Sequence, residues 1–67
     1  MDPKQTLIDA RHELGQGDPE NCLILLTEYA TWRKRGGFQP IGVFAPGDQG
    51  DSVARGLRQQ CEAELQP

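Results

Sequence analysis

Asp18-Pro19-Glu20-Asn21-Cys22-Leu23-Ile24-Leu25-Leu26-Thr27-Glu28-Tyr29-Ala30-Thr31-Trp32-Arg33-Lys34-Arg35-Gly36-Gly37 is the stretch on which the fold turns. Asp18 is a helix N-cap residue type, whose carboxylate accepts from backbone amides of the first turn. Pro19 follows at the first helical position, where its missing N–H removes no bond. Arg33, Lys34 and Arg35 place cations at the far end, where they complement the helix dipole. Gly36-Gly37 then stop the helix. A buried strand over Cys22 to Leu26 is the competing reading, because periodicity cannot separate strand from helix in so short an apolar run. Length and caps decide for a helix over about 19–35.

Five consecutive apolar residues in a helix point in every direction, since each step turns the chain by about 100°. Cys22, Leu25, Leu26, Tyr29 and Trp32 make one broad face, Leu23 and Ala30 a second, and Ile24 points elsewhere. One neighbouring helix covers one face. The surplus predicts more contacts, within the chain or with a second copy. A homodimer through this helix would place the same patch on both chains, with Cys22, Ile24 and Leu25 as the expected self-association residues.

The same Asp-Pro device opens a first helix over about 3–14. Asp2 caps it, Pro3 begins it, and Leu7, Ile8, the stem of Arg11 and Leu14 form a narrow apolar stripe. Gly15 is expected to end it in the left-handed conformation. The short Gly15-Gln16-Gly17 connector predicts an antiparallel hairpin. On the other side, Pro40, Gly42, Pro46 and Gly47 exclude a regular helix from 38 to 47. Phe38, Ile41, Val43 and Phe44 are expected to fold down onto the helices, with an extended piece at 41–44. A last helix over about 51–65 takes Asp48, Asp51 or Ser52 as its cap and carries Val53, Leu57, Cys61 and Leu65 every fourth residue. Asp51 and Arg55 are placed to pair one turn apart, and mid-helix Gly56 implies a close helix contact. The predicted fold is all-α: a single 1–67 domain, a small three-helix fold in which a helical hairpin is joined by an irregular apolar loop (36–50) to a C-terminal helix, expected to be dimeric.

Sixty-seven residues bury only about 60% of the unfolded surface, so such a domain leans on a staple, a metal or a partner. Two cysteines and one histidine do not supply the close four-ligand set of a zinc site, and no cofactor is expected. The polar Met1 to Gln5 reads as helix, not as a leader, and no apolar run is long enough to span a membrane. The expected compartment is the cytoplasm, with both thiols reduced and buried. The net charge of −3 argues against a general nucleic-acid binder and is too small for a DNA mimic.

Catalytic readings fail on the chemistry they need. No nucleophile or acid is placed beside His12. Cys22 and Cys61 sit on apolar stripes and not in open electropositive sites. Asp48-Gln49-Gly50-Asp51-Ser52 lacks the alternating acids and distant glutamate of a calcium loop. Gly36-Gly37 lacks the strand and helix of a phosphate loop. The chain is not expected to be an enzyme. Trp32-Arg33-Lys34-Arg35 is more distinctive. It reads as a solvated helix end with Trp32 in the core, as a dock for an acidic partner, or as a grip on bases and phosphates. The leading expectation is a non-enzymatic protein-interaction module using Tyr29, Trp32, Arg33, Arg35, Phe38 and Phe44, since aromatics and arginines dominate interfaces. The alternative is a nucleic-acid-binding accessory protein using Arg33, Lys34, Arg35, Arg55 and Arg58.

Glu28, Tyr29, Trp32, Arg33 and Gly36 also form a pattern, roughly Glu-Tyr-x-x-Trp-Arg-Arg-Gly, that resembles a motif of small uncharacterised tailed-phage and prophage proteins. The resemblance covers about half the chain. Lys34 stands where those proteins have a second arginine, and the segment from Phe38 to Gln49 is longer and more apolar. It implies a viral origin and a role in the bacterial host cytoplasm as a modulator or inhibitor of a host protein. It implies no activity.

Overall fold

Both Asp-Pro steps begin helices, and both caps form. In the computed structural model, which describes residues 1–66, helix α1 spans Pro3–Gly15 and α2 spans Pro19–Lys34. The Asp2 carboxylate accepts from the Gln5 amide at 3.1 Å, and that of Asp18 accepts from the Asn21 amide at 3.0 Å. Each helix also closes in the same way. Gly17 N–H donates to Leu14 O and Asp18 N–H to Glu13 O; Gly36 N–H donates to Arg33 O and Gly37 N–H to Trp32 O. Gly17 and Gly36 carry the left-handed φ of +80° and +98° that this closure requires. Gly15, expected in that role, is helical. The left-handed residue is the first one past the cap, and Gln16 is the cap.

Helix α3 spans Gly50–Leu65 and starts differently. Its cap position is Gln49, whose side chain makes no cap bond. Asp48 turns backward instead and accepts from the amides of Phe44 and Ala45. The orphan amide of Asp51 is met from outside the helix by Gln39 Oε1, at 2.9 Å. The expectation that Asp48, Asp51 or Ser52 caps this helix is thereby corrected: the loop supplies the acceptor.

The three helices all touch one another. Leu7 and Ala10 of α1, Cys22, Leu26 and Tyr29 of α2, and Leu57 and Cys61 of α3 form the core, with Val43 of the loop. The predicted stripes hold for Leu7, for Cys22, Leu26 and Tyr29, and for Leu57 and Cys61, while Val53 is partly buried and Leu65 is exposed at the helix end. Ala10 is a core residue that the pattern of larger side chains does not reveal. Gly56 brings no close helix approach: an added Cβ would meet nothing within 4 Å. Full burial of a leucine-sized side chain contributes about 1.5–3 kcal/mol, and Leu7 and Leu26 are the largest side chains buried that completely.

The loop is tied down along its length. Gly42 N–H donates to Asp48 O and Gly50 N–H to Pro40 O, around a single antiparallel bridge between Ile41 and Gln49. Val43 alone of its large apolar residues is buried; Phe38, Ile41 and Phe44 stay exposed. The expected folding-down of all four is corrected to one. Backbone bonds across the loop mouth set its path, and one anchoring side chain is enough to hold it. No described helix is long and apolar enough to cross a membrane.

Candidate interaction surface

Tyr29 and Arg33 lie one turn apart on α2, so their side chains leave the same face. Both reach Asp51 in the first turn of α3. Tyr29 Oη donates to Asp51 Oδ1 at 2.8 Å. Arg33 Nε donates to the same oxygen at 2.9 Å and Nη2 to Oδ2 at 2.6 Å. This two-point fork is the strong geometry for a guanidinium and a carboxylate. The third nitrogen, Nη1, donates to Gly37 O at 2.8 Å. One arginine therefore ties the end of α2, the start of the loop and the start of α3 together.

The electrostatics follow the bonds. Hydrogen bonds from Arg33, with help from Tyr29, hold the Asp51 carboxyl below its ordinary range. The bond to Asp51 in turn raises Arg33. Burial, followed by the bond to Asp51, pushes the Tyr29 phenol up. Among the described residues this is the one ion pair, and it replaces the expected Asp51–Arg55 pair. Arg55 acts on Asp51 only from a distance.

Gly50 sits under this junction. A Cβ there would lie 2.6 Å from the Pro40 ring and from Tyr29 Oη. Gly37 is similarly constrained, since a Cβ would lie 2.3 Å from the Trp32 ring. Trp32 is half-buried against the helix-ending glycine.

These contacts redistribute the expected partner-binding residues. Tyr29 is 2% exposed and faces inward, so it is corrected from contact residue to structural residue. Arg33 is committed to Asp51 and Gly37. Arg35 is exposed at the end of α2. Phe38 is 83% exposed, Ile41 55% and Phe44 41%; the Arg11 guanidinium stands 4.4 Å over the Phe44 ring. Ile41, expected to fold down onto the helices, was not among the expected contacts. Of the expected self-association residues, Cys22 is fully buried within the chain and is corrected on that ground. Leu25 packs partly against the core, and Ile24 remains 57% exposed. Cys22 and Cys61 are free thiols in contact across α2 and α3.

Four of the five basic residues expected together do converge. Arg33 and Lys34 from α2 and Arg55 and Arg58 from α3 line an open groove of about 530 Å³. Arg35 lies outside it. Ala30 and Ala54 complete the groove, with Tyr29 and Asp51. Asp51, which also lines the groove, is the residue that the sequence offered as a helix cap or a local partner of Arg55. The signal for its true partners was the Tyr29-x-x-x-Arg33 spacing, which presents a phenol and a guanidinium to one acceptor. His12 is exposed near the end of α1. Among the described residues no group of three or more histidine, cysteine or carboxylate side chains is placed to hold a metal. Compared with protein-family models, with curated proteins and with solved structures, the chain matches none of them.

Proposed function

We propose that this chain is a non-enzymatic protein-interaction module that meets its partner through the loop between α2 and α3, chiefly with Phe38, Ile41 and Phe44. The observation that carries this reading is the contrast between the loop's backbone and its side chains. The backbone is bonded at both ends, by Arg33 to Gly37 O and by the Pro40–Gly50 and Gly42–Asp48 pairs, and the Gln39 side chain accepts from the Asp51 amide beside it. Phe38, Ile41 and Phe44 nonetheless stay exposed, while Val43 anchors the loop in the core. An ordered loop displaying aromatics loses little conformational entropy on binding, which is how rigid loops gain affinity. Trp32 and Arg35 flank the same end of the molecule in the sequence and extend the candidate contact set.

The resemblance in the Glu28–Gly36 motif supplies the setting: a phage-encoded modulator or inhibitor acting on a bacterial host protein. A homodimer through α2 would be centred on Ile24, whose neighbours one and two turns on, Thr27, Glu28 and Thr31, are exposed and polar. The loop is the stronger apolar surface. Quantitative affinity capture with wild type, Phe38→Ala/Ile41→Ala and Ile24→Ala tests the reading. A protein retained by wild type and Ile24→Ala but lost by the loop variant supports it. Equal capture by all three rejects it.

The convergence of Arg33, Lys34, Arg55 and Arg58 supports a second reading, a nucleic-acid-binding accessory protein. Binding of that kind weakens steeply and log-linearly with salt, whereas an aromatic-centred protein contact does not. A salt titration of oligonucleotide binding separates the two.

A further inference from the structure

The α2–α3 groove is a cationic site on an acidic chain. Four of the seven basic residues line it, against one of the ten carboxylates. That carboxylate, Asp51, is already bonded to Arg33 and Tyr29. Since Arg33–Asp51 is the one ion pair among the described residues, Lys34, Arg55 and Arg58 reach the groove uncommitted to any described carboxylate. Their placement follows from helical spacing. Ala54, Arg55 and Arg58 lie along one face of α3, and Ala30 and Lys34 lie one turn apart on α2. The two small alanines keep the space between the helices open, and the long cationic side chains border it.

Resting on the reading of the chain as a protein-interaction module, we propose that this groove docks a short acidic peptide segment of the partner, its carboxylates on Lys34, Arg55 and Arg58 and a small apolar side chain over Ala30 and Ala54. Guanidinium forks suit carboxylates in two-point geometry. The groove is open and short, its lining confined to 29–34 of α2 and 51–58 of α3, a length that matches a short peptide segment. A nucleic-acid strand is disfavoured by what the groove lacks. Base binding uses exposed aromatic platforms, but the Tyr29 ring is buried and Trp32 lies on Gly37, outside the groove. A long polyanion would also meet the acidic remainder of the surface, while a short acidic segment meets only the groove.

The test is amide chemical-shift mapping and fluorescence anisotropy on the full chain. The probes are a labelled alternating glutamate–alanine peptide, its glutamine–alanine counterpart, and an oligothymidylate of matched length. The glutamate peptide is expected to shift the amides of Ala30, Lys34, Ala54, Arg55 and Arg58, and the glutamine peptide is not. Arg55→Glu/Arg58→Glu should weaken binding by about tenfold or more, the loss associated with one charge-assisted hydrogen bond. Lys34→Gln, an exposed change that leaves the core alone, should weaken it in the same direction. Shifts elsewhere, equal binding of the glutamine peptide, or tighter binding of the oligothymidylate would each overturn the proposal. Phe38→Ala separates this proposal from the loop reading. If it abolishes partner capture while the glutamate peptide binds nowhere, the groove alone is rejected; if the peptide binds the groove and Phe38→Ala leaves capture intact, the loop is rejected.

Discussion

Helices α1 and α2 carry their own start and stop signals, whereas α3 borrows its start from elsewhere in the chain. In the hairpin, each cap acceptor sits three residues before the amide it serves. In α3, the acceptor for the Asp51 amide is Gln39, twelve residues back, and the carboxylate of Asp51 is held by Arg33, eighteen residues back. The first two helices are specified locally. The third is specified by tertiary contacts that form only when the loop and the end of α2 are in place. The loop that displays Phe38 and Ile41 is fixed by those same contacts, so the order of the surface depends on the less local half of the molecule.

The sharpest way to break this contrast is Gly50→Ala. The new methyl would strike the Pro40 ring and Tyr29 Oη, and we expect a loss of about 1–3 kcal/mol, the usual range for overpacking. Hydrogen exchange should show faster opening in the first turn of α3 and the loop, with α1 little changed. Asp18→Ala tests the local half. Losing an N-cap costs about 1 kcal/mol, read from chemical denaturation, while Gln49→Ala at the corresponding position of α3 should cost almost nothing.

Tyr29→Phe should cost about 1 kcal/mol by removing one hydrogen bond to Asp51. The pH profile reports on the same junction. Asp51 is depressed in the fold, so its contribution is present above its ordinary value of 3.8 and is lost as pH falls below it. Tyr29 is raised, so its contribution is present below 10.0 and is lost as pH climbs above it. Thermal melts across the acid range should show a shallower decline in Asp51→Asn than in wild type; identical slopes would contradict the assignment. Gly56→Ala, the smallest effect, runs the other way. With open space around it and a helical backbone, alanine should add about 0.5–1 kcal/mol and raise the melting temperature.

How much of this was legible in the sequence follows the same division. Asp2-Pro3, Asp18-Pro19 and the glycines after α2 are local signals, and they predicted the bounds of α1 and α2 to within a residue or two. Leu7, Leu26, Leu57 and Cys61 were legible as core because helical spacing aligns them. The candidate surface was only half legible. Lys34, Arg55 and Arg58 were named together with Arg33 and Arg35 from residue type, but that they meet in one groove, and that Arg35 lies outside it, needs the packing of α2 on α3. Tyr29 read both as part of the broad apolar face of α2 and as a contact residue; it packs in the core as helical spacing places it, and only its hydroxyl bond to Asp51, far along the chain, was not legible. Phe38 read both as folding onto the helices and as a contact, and Ile41 only as folding down, because hydrophobicity does not say which way a loop side chain points; backbone bonds of the loop decide that, and both are exposed.

The contact between Cys22 and Cys61 has a kinetic consequence. Both thiols are fully buried, and burial, reinforced by the neighbouring sulfur, pushes the Cys22 thiol up to about 12. Neither side chain meets an alkylating reagent in the folded chain, and both meet it together once α2 and α3 part. Their labelling rate is therefore a clock for the opening of the helix interface. Under fast reclosing it reads the open population, and under excess reagent it reads the opening rate itself. A bound partner that clamps α2 to α3 should slow that clock even where it touches neither sulfur.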